Sequence, residues 1–278
     1  MTIMKKMKWW DLLMTALALA AGLLVVLPVI YGVFGAFKST AEFAAYPPTF
    51  WPKSFAYLDN FRHVLATVPM GRYFFNSLVV ATLTSAVRLA LAVLAAYAFV
   101  FYDFRGKKIF FFLILGTMML PGDTLLVTNY QTVARMGLLD SYLGMSIVSF
   151  VGASQMFMLR QSFKASPTAL RDAAMLDGCG DLRFIGSILV PVTKPILTTL
   201  FVQSFVTSWN GYLWPLMVTN HNEMRTVQVG ITMLTTIEDT NYEVVLAGVA
   251  LSLIPAMILF LVLRRNITKS MTAGSLVG

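Results

Sequence analysis

Few residues of this 278-residue sequence have the type and spacing that reaction chemistry needs. The two histidines, His63 and His221, stand far apart, and the one cysteine, Cys179, has no CxxC partner. That pattern offers neither a metal-ligand cluster nor an intrachain disulfide. Gly106-Lys107 has no glycine five residues before it and no Ser or Thr after it, so it is not a phosphate-cradling P-loop. No constellation of His, Asp and Ser marks a membrane-embedded enzyme. No carboxylate stands at the centre of an apolar run, where ion-coupled carriers often place one. The polar residues that interrupt the apolar runs are Arg88, Asn129, Gln203, Ser204, Thr207, Ser208 and Asn210. Lipid is a poor environment for them, so they suit either a solute pathway or hydrogen bonds between helices.

The elements that must position these residues follow from composition. Apolar residues make up 58% of the chain and charged residues 12%, too few charges to cover a soluble domain of this length. A net charge of +8 does not signal nucleic-acid binding here, because the basic residues punctuate apolar runs and form no single water-facing patch. A bilayer span needs about 20 apolar residues. Six runs qualify, at about 12–37, 73–102, 109–128, 141–160, 195–217 and 244–263, which predicts an all-α integral membrane protein of six transmembrane helices in a single domain, 1–278. The first run is too long for a signal-peptide core and is expected to remain as a helix. Arg88 lies deep in the second run. Fourteen of the 21 Lys and Arg fall on one set of loops and tails, and only Lys38, Lys53, Arg62, Arg72, Arg135 and Arg225 on the other. That asymmetry places both termini in the cytoplasm.

The longest inner loop carries the most specific pattern. Ser166-Pro167 is a helix start, with Ser as N-cap and Pro at the first helical position. A helix over 168–176 follows, with Ala169, Ala173 and Leu176 along one face and Arg171 on another. Gly178 and Gly180 break it, and a second short helix runs through Phe184 to Pro191. The stretch 166–191 resembles the EAA loop of ABC importer permeases. Asp172-Ala173-Ala174, Asp177-Gly178, Phe184 and Ile188-Leu189-Val190-Pro191 stand at that family's spacing, with Asp for its Glu at 172 and Val for its Leu at 190. In that family the loop is a coupling helix that docks into a groove of the ATPase subunit. The resemblance therefore implies that Asp172, Ala173, Ala174, Asp177, Gly178, Cys179, Gly180, Phe184 and Pro191 form the ATPase-coupling surface. Cys179, where the family most often has Ala, is expected to be a small residue tolerated in a close contact.

Other stretches are similar to the carbohydrate-uptake permeases of the maltose-G and glycerol-phosphate type: Asn76-Ser77-Leu78, Ala95-Ala96-Tyr97-Ala98, Gly137–Ser141, Trp209–Pro215 and the tail Met271–Gly278. The resemblance implies a type I permease fold in a bacterial cytoplasmic membrane. It implies a second, non-identical permease, a dimer of ATP-binding subunits carrying ATP and Mg, and an extracytoplasmic solute-binding protein, with membrane lipid around the whole. No cofactor, metal or nucleic acid is expected on this chain. The expected solute is a mono- or oligosaccharide, with sn-glycerol 3-phosphate as the alternative. Glu223, Glu238, Asp239 and Glu243 are expected to form an acidic outer rim that steers the binding protein.

Overall fold

In lipid every backbone polar group must find its partner within the segment, and a helix does this. The computed structural model describes residues 9–166, 168–235 and 241–273, apart from the side chains of Asp11, Asp123, Thr168 and residues 263–273, and its regular structure there is helical throughout. Three helices are long and apolar enough to cross a bilayer: Leu12–Gly35, Met70–Phe101 and Tyr242–Val262. Two bent pairs bring the number to as many as five, Tyr142–Ser149 with Ala153–Lys164 at 55° and Asp181–Val192 with Lys194–Trp209 at 86°.

Both bends have local causes. The first falls at Phe150–Gly152, where Gly152 takes an extended conformation (φ −137°, ψ 104°) as the N-cap of the following helix. The second falls at Thr193, and the next helix begins with Pro195 in its first turn, where the missing N–H would have had no partner. The run predicted as a third span, 109–128, is not one helix. Lys107–Thr117 is an 11-residue helix, about 16 Å long and well short of a bilayer core. Turns lead from it to a 3-10 segment, Gly122–Leu125, and a second helix, Leu126–Arg135. Pro121 is the physical reason, since it disfavours the α conformation in Leu120 and donates no hydrogen bond.

The chain forms two compact units, Met1–Pro69 with Ile231–Leu253, and Met70–Gly230 with Ile254–Gly278. In the first unit the long helix Trp9–Gly35 runs into a folded loop. Lys38 is buried there, with its ammonium donating to the Thr49 carbonyl and lying 5.2 Å from the Tyr31 ring centre. Asn60 donates to the Ala36 and Lys38 carbonyls at 2.8 Å each, which closes the end of the helix. Glu243 is also buried, 2% exposed, and accepts the Thr40 hydroxyl. It therefore does not belong to the expected acidic rim: a carboxylate buried to this degree does not present its charge at the surface. Glu223 is exposed, and Glu238 and Asp239 lie outside the described residues.

In the second unit, Met70–Phe101 is the central helix and packs against Ala153–Lys164 and Lys194–Trp209. Small buried residues on it, Ala92 and Ala96, permit close approach of the neighbouring helices. The core around them includes Met156, Leu159 and Phe163 from one neighbour and Leu197 and Leu200 from the other.

Candidate functional site

The 166–191 loop folds largely as its residues dictate. Thr168–Leu176 is a helix, though Pro167, its expected first-turn proline, lies outside the described residues. It ends in a Schellman motif. Gly178 adopts φ +74°, the Gly178 N–H donates to Met175 O at 3.0 Å, and the Cys179 N–H donates to Ala174 O at 2.9 Å. A left-handed residue is required at this point, and glycine takes it without a Cβ penalty. Gly180 then caps the next helical stretch, Asp181–Val192, which continues as one piece through a π-turn at Ile185–Leu189.

The two faces of the loop helix have different environments. Ala174 and, in part, Leu170, Met175 and Cys179 pack into the core with Tyr97, Phe163 and Phe184. Ala169, Asp172, Ala173 and Leu176 are exposed on the other face, with Leu176 at 89% and Leu182 beyond the bend at 78%. Of the expected coupling residues, Asp172, Ala173, Asp177, Gly178, Gly180 and Pro191 are exposed, Cys179 is half-buried, and Ala174 and Phe184 face inward. The expected row of Ala169, Ala173 and Leu176 is therefore the open face.

What fastens the loop was not visible in the sequence. Asp181, at the start of the second stretch, accepts the hydroxyls of Tyr97 and Tyr102. Arg171 donates from Nη2 to Asp181 Oδ1 at 3.2 Å and from Nε to the Tyr97 hydroxyl oxygen at 3.2 Å. Its guanidinium also lies 5.5 Å from the centre of the Phe101 ring. The Tyr102 and Tyr97 hydroxyls hold the Asp181 carboxyl below the usual carboxylate range, with help from Arg171. The same hydrogen bond pushes the Tyr102 phenol up. Arg171 and Asp181 are separated by ten residues, and the tyrosines stand 84 and 79 residues before Asp181, so spacing alone gave no signal.

Arg88 points into the helices, as its position deep in an apolar run requires. Its Nε donates to the Ser149 carbonyl at 2.6 Å and Nη1 to Ser204 Oγ at 3.4 Å. Ser149 is the last residue before the 55° bend, where carbonyls lose their helical partners. The fifth-run polar set divides. Ser204 is buried beside the half-buried Arg88 and Ser208 is half-buried, whereas Gln203, Thr207 and Asn210 are exposed at helical spacing on one face. Asn210 accepts from Gln228 Nε2 at 3.3 Å. Asn129, half-buried on Leu126–Arg135, makes no hydrogen bond to this set among the described residues.

At the opposite end of the central helix, the remaining sequence patterns acquire structural reasons. Asn76 donates to the Glu223 and Arg225 carbonyls at 2.7 and 2.8 Å and accepts from Tyr142, while Ser77 accepts the Val227 N–H at 2.9 Å. Gly137 and Asp140 both take positive φ, 69° and 53°. The Asp140 carboxylate accepts the Asn220 and His221 N–H groups at 2.7 and 2.9 Å. Burial pushes the Asp140 carboxyl up, but these hydrogen bonds outweigh it and hold it below the usual range. Ser141 accepts the Gly144 N–H, and Trp214 donates to the Gly144 carbonyl.

Bilayer-length and broken helices, with a short helix fastened on one face and bare on the other, define an α-helical membrane protein. This chain belongs to the family of binding-protein-dependent transport system inner membrane components, which it matches over residues 4–273. It is 35% identical over 201 residues to the sn-glycerol-3-phosphate transport system permease protein UgpE of Yersinia pestis, 72% of each chain. It is 29% identical over 258 residues to the arabinooligosaccharides transport system permease protein AraQ of Halalkalibacterium halodurans, 92% of each chain. Its fold is similar to that of a chain in a bacterial ABC transporter involved in the import of the acidic polysaccharide alginate, with a TM-score of 0.78, 22% identity, and 96% of this chain and 100% of that one covered. The protein is thus the multi-pass membrane component of an ABC importer that works with a binding protein. It is not the catalytic subunit.

Proposed function

We propose that this chain forms half of the translocation path of a sugar importer and takes its power stroke through Thr168–Gly178. The observation that carries the reading is the two-sidedness of that helix. Its inner face is fixed by Ala174, Arg171 and Asp181, and its outer face presents Ala169, Ala173 and a bare Leu176. An apolar side chain this exposed, on a helix so firmly anchored, suits a groove on another protein. That protein would be an ATP-binding subunit, acting as a dimer and carrying the ATP and Mg, with no cofactor on this chain. A push on the outer face would pass through the Arg171–Asp181–Tyr97–Tyr102 cluster into the central helix.

In this reading both termini are cytoplasmic, as the Lys and Arg asymmetry supports. The two compact units serve one permease domain, and the broken third run completes six crossings. A second, non-identical permease would cover the exposed stripe of Gln203, Thr207 and Asn210, leaving those residues and Ser208 along a polar path. The solute class rests on the relatives, whose names specify an oligosaccharide and sn-glycerol 3-phosphate. Sugar is favoured over the phosphate because the exposed stripe is of neutral hydrogen-bonding side chains, while Arg88 is occupied by Ser149 and Ser204. Ala173→Asp tests the coupling. It places a charge on an exposed position that costs the permease little, yet would be buried unpaired in a groove, at about 1–3 kcal/mol or more. The expected result is normal membrane insertion with loss of ATPase co-purification and uptake. Retention of both contradicts the reading.

A further inference from the structure

We propose that the cavity between Lys107–Thr117 and Ala153–Lys164 is a headgroup site for an anionic phospholipid. The cavity, of about 560 Å³, is lined by Lys107, Lys108 and Arg160 together with Asp103, Phe111 and Phe112. Asp103 neutralises one cation only: Lys107 Nζ stands 3.1 Å from its Oδ1 and also donates to the Tyr102 carbonyl. Lys108 and Arg160 form no ion pair among the described residues. The Arg160 guanidinium carbon lies over the Phe111 ring, 4.0 Å from its centre, and the Arg160 Nε is buried without an acceptor.

A helix start adds to this charge. Lys107–Thr117 begins at the cavity; its Lys107 N–H donates to the Phe104 carbonyl, but its N-cap, Gly106, has no side chain to cap the N–H groups that follow. Two uncompensated cations and the positive end of a helix dipole form a site for a phosphodiester monoanion. An apolar lane leads away from it. Phe112 lines the cavity, and Ile109 and Leu113 continue along the same helix, all about two-thirds exposed. A soluble phosphate has no use for that lane, whereas a phospholipid lays its acyl chain there. Basic pockets between helices at the cytoplasmic side are a general mode of anionic-lipid recognition. The assignment rests on the cytoplasmic placement of this end proposed above, but lipid retention is measured without reference to sidedness, so the two ideas fail separately.

Native mass spectrometry of the full-length chain in detergent, titrated with phosphatidylglycerol or phosphatidylcholine, tests the site. Phosphatidylglycerol should be retained about tenfold over phosphatidylcholine. Lys108→Gln should lower that retention about fivefold, the factor expected for one cation. Arg160→Gln should do the same and Arg160→Lys should largely restore it, which separates charge from any packing loss on Phe111. Lys164→Gln, an equal charge change outside the cavity, should leave retention unchanged. Equal retention of the two lipids, indifference to Lys108→Gln and Arg160→Gln, or displacement of phosphatidylglycerol by inorganic phosphate at about equal concentration would each overturn the proposal.

Discussion

Asp181 and Arg171 do for the inner loop what its more recognisable residues do not: they hold it in place. Asp172, Ala173 and Gly178 carry the resemblance and face outward, whereas the fastening pair is set by contacts with Tyr97 and Tyr102 from a distant part of the chain. Asp181→Asn should keep the shape but weaken these charge-assisted bonds. Amide exchange over 168–178 should then accelerate several-fold, with the central helix unchanged. The pH dependence of the cluster has a definite sign. Asp181 has a lowered pKa, so its contribution is present above the unfolded carboxylate value of about 4 and is lost as pH falls through the folded value. Tyr102 has a raised pKa, so its contribution is present below about 10 and is lost as pH rises through the folded value. Loop protection, corrected for intrinsic exchange, should therefore stay flat between about pH 5 and 9. Arg88 gives a second test at this scale. Arg88→Leu strands the Ser149 carbonyl at a bend inside the helices and should destabilise the permease by about 1–3 kcal/mol, read as a lower thermal midpoint in detergent. A midpoint equal to that of the parent would show that Arg88 is not the partner that the bend needs.

Among the elements, the sequence was most readable where punctuation is local. Thr168–Leu176 was legible because Ala and Leu favour helix and Gly178 must end it. Leu12–Gly35, Met70–Phe101 and Tyr242–Val262 were legible because an apolar run of that length, even with Arg88 inside the second, has few alternatives in water. The 109–128 run was less so, since hydropathy does not register that Pro121 and Gly122 divide it. Glu243 was misread because an outer-loop position suggests solvation, whereas Thr40 partners it across two hundred residues of chain. Three glycines differ in what a Cβ would meet. A Cβ at Gly230 would come within 2.3 Å of the Tyr73 ring, which is fully buried and cannot yield, so Gly230→Ala should cost about 1–3 kcal/mol. At Gly178 nothing stands within 4 Å, but φ is +74°, and Gly178→Ala should cost about 1 kcal/mol through the backbone alone. Gly116 has open space and helical φ, so Gly116→Ala should be neutral or stabilising by about 0.5–1 kcal/mol. Thermal midpoints of the three variants in one detergent should fall in that order, with Gly230→Ala lowest.

For the whole molecule, the proposed coupling rests on one short helix: the outer face of Thr168–Leu176 would receive the ATPase, and the inner face would pass the motion to the central helix. The native cysteine is a poorer reporter of this than its place in the loop suggests, because Cys179 is half-buried in the permease's own core. Leu176, 89% exposed on the open face, is the better position. The decisive measurement is the rate at which a membrane-impermeant maleimide labels Leu176→Cys in a Cys179→Ser background, with and without the ATP-binding subunit. Coupling through this face predicts fast labelling from the cytoplasmic side of the permease alone and at least about tenfold slower labelling once the ATPase is docked, since a buried side chain in a groove is reached only when the complex opens. Labelling at one rate in both preparations would contradict it.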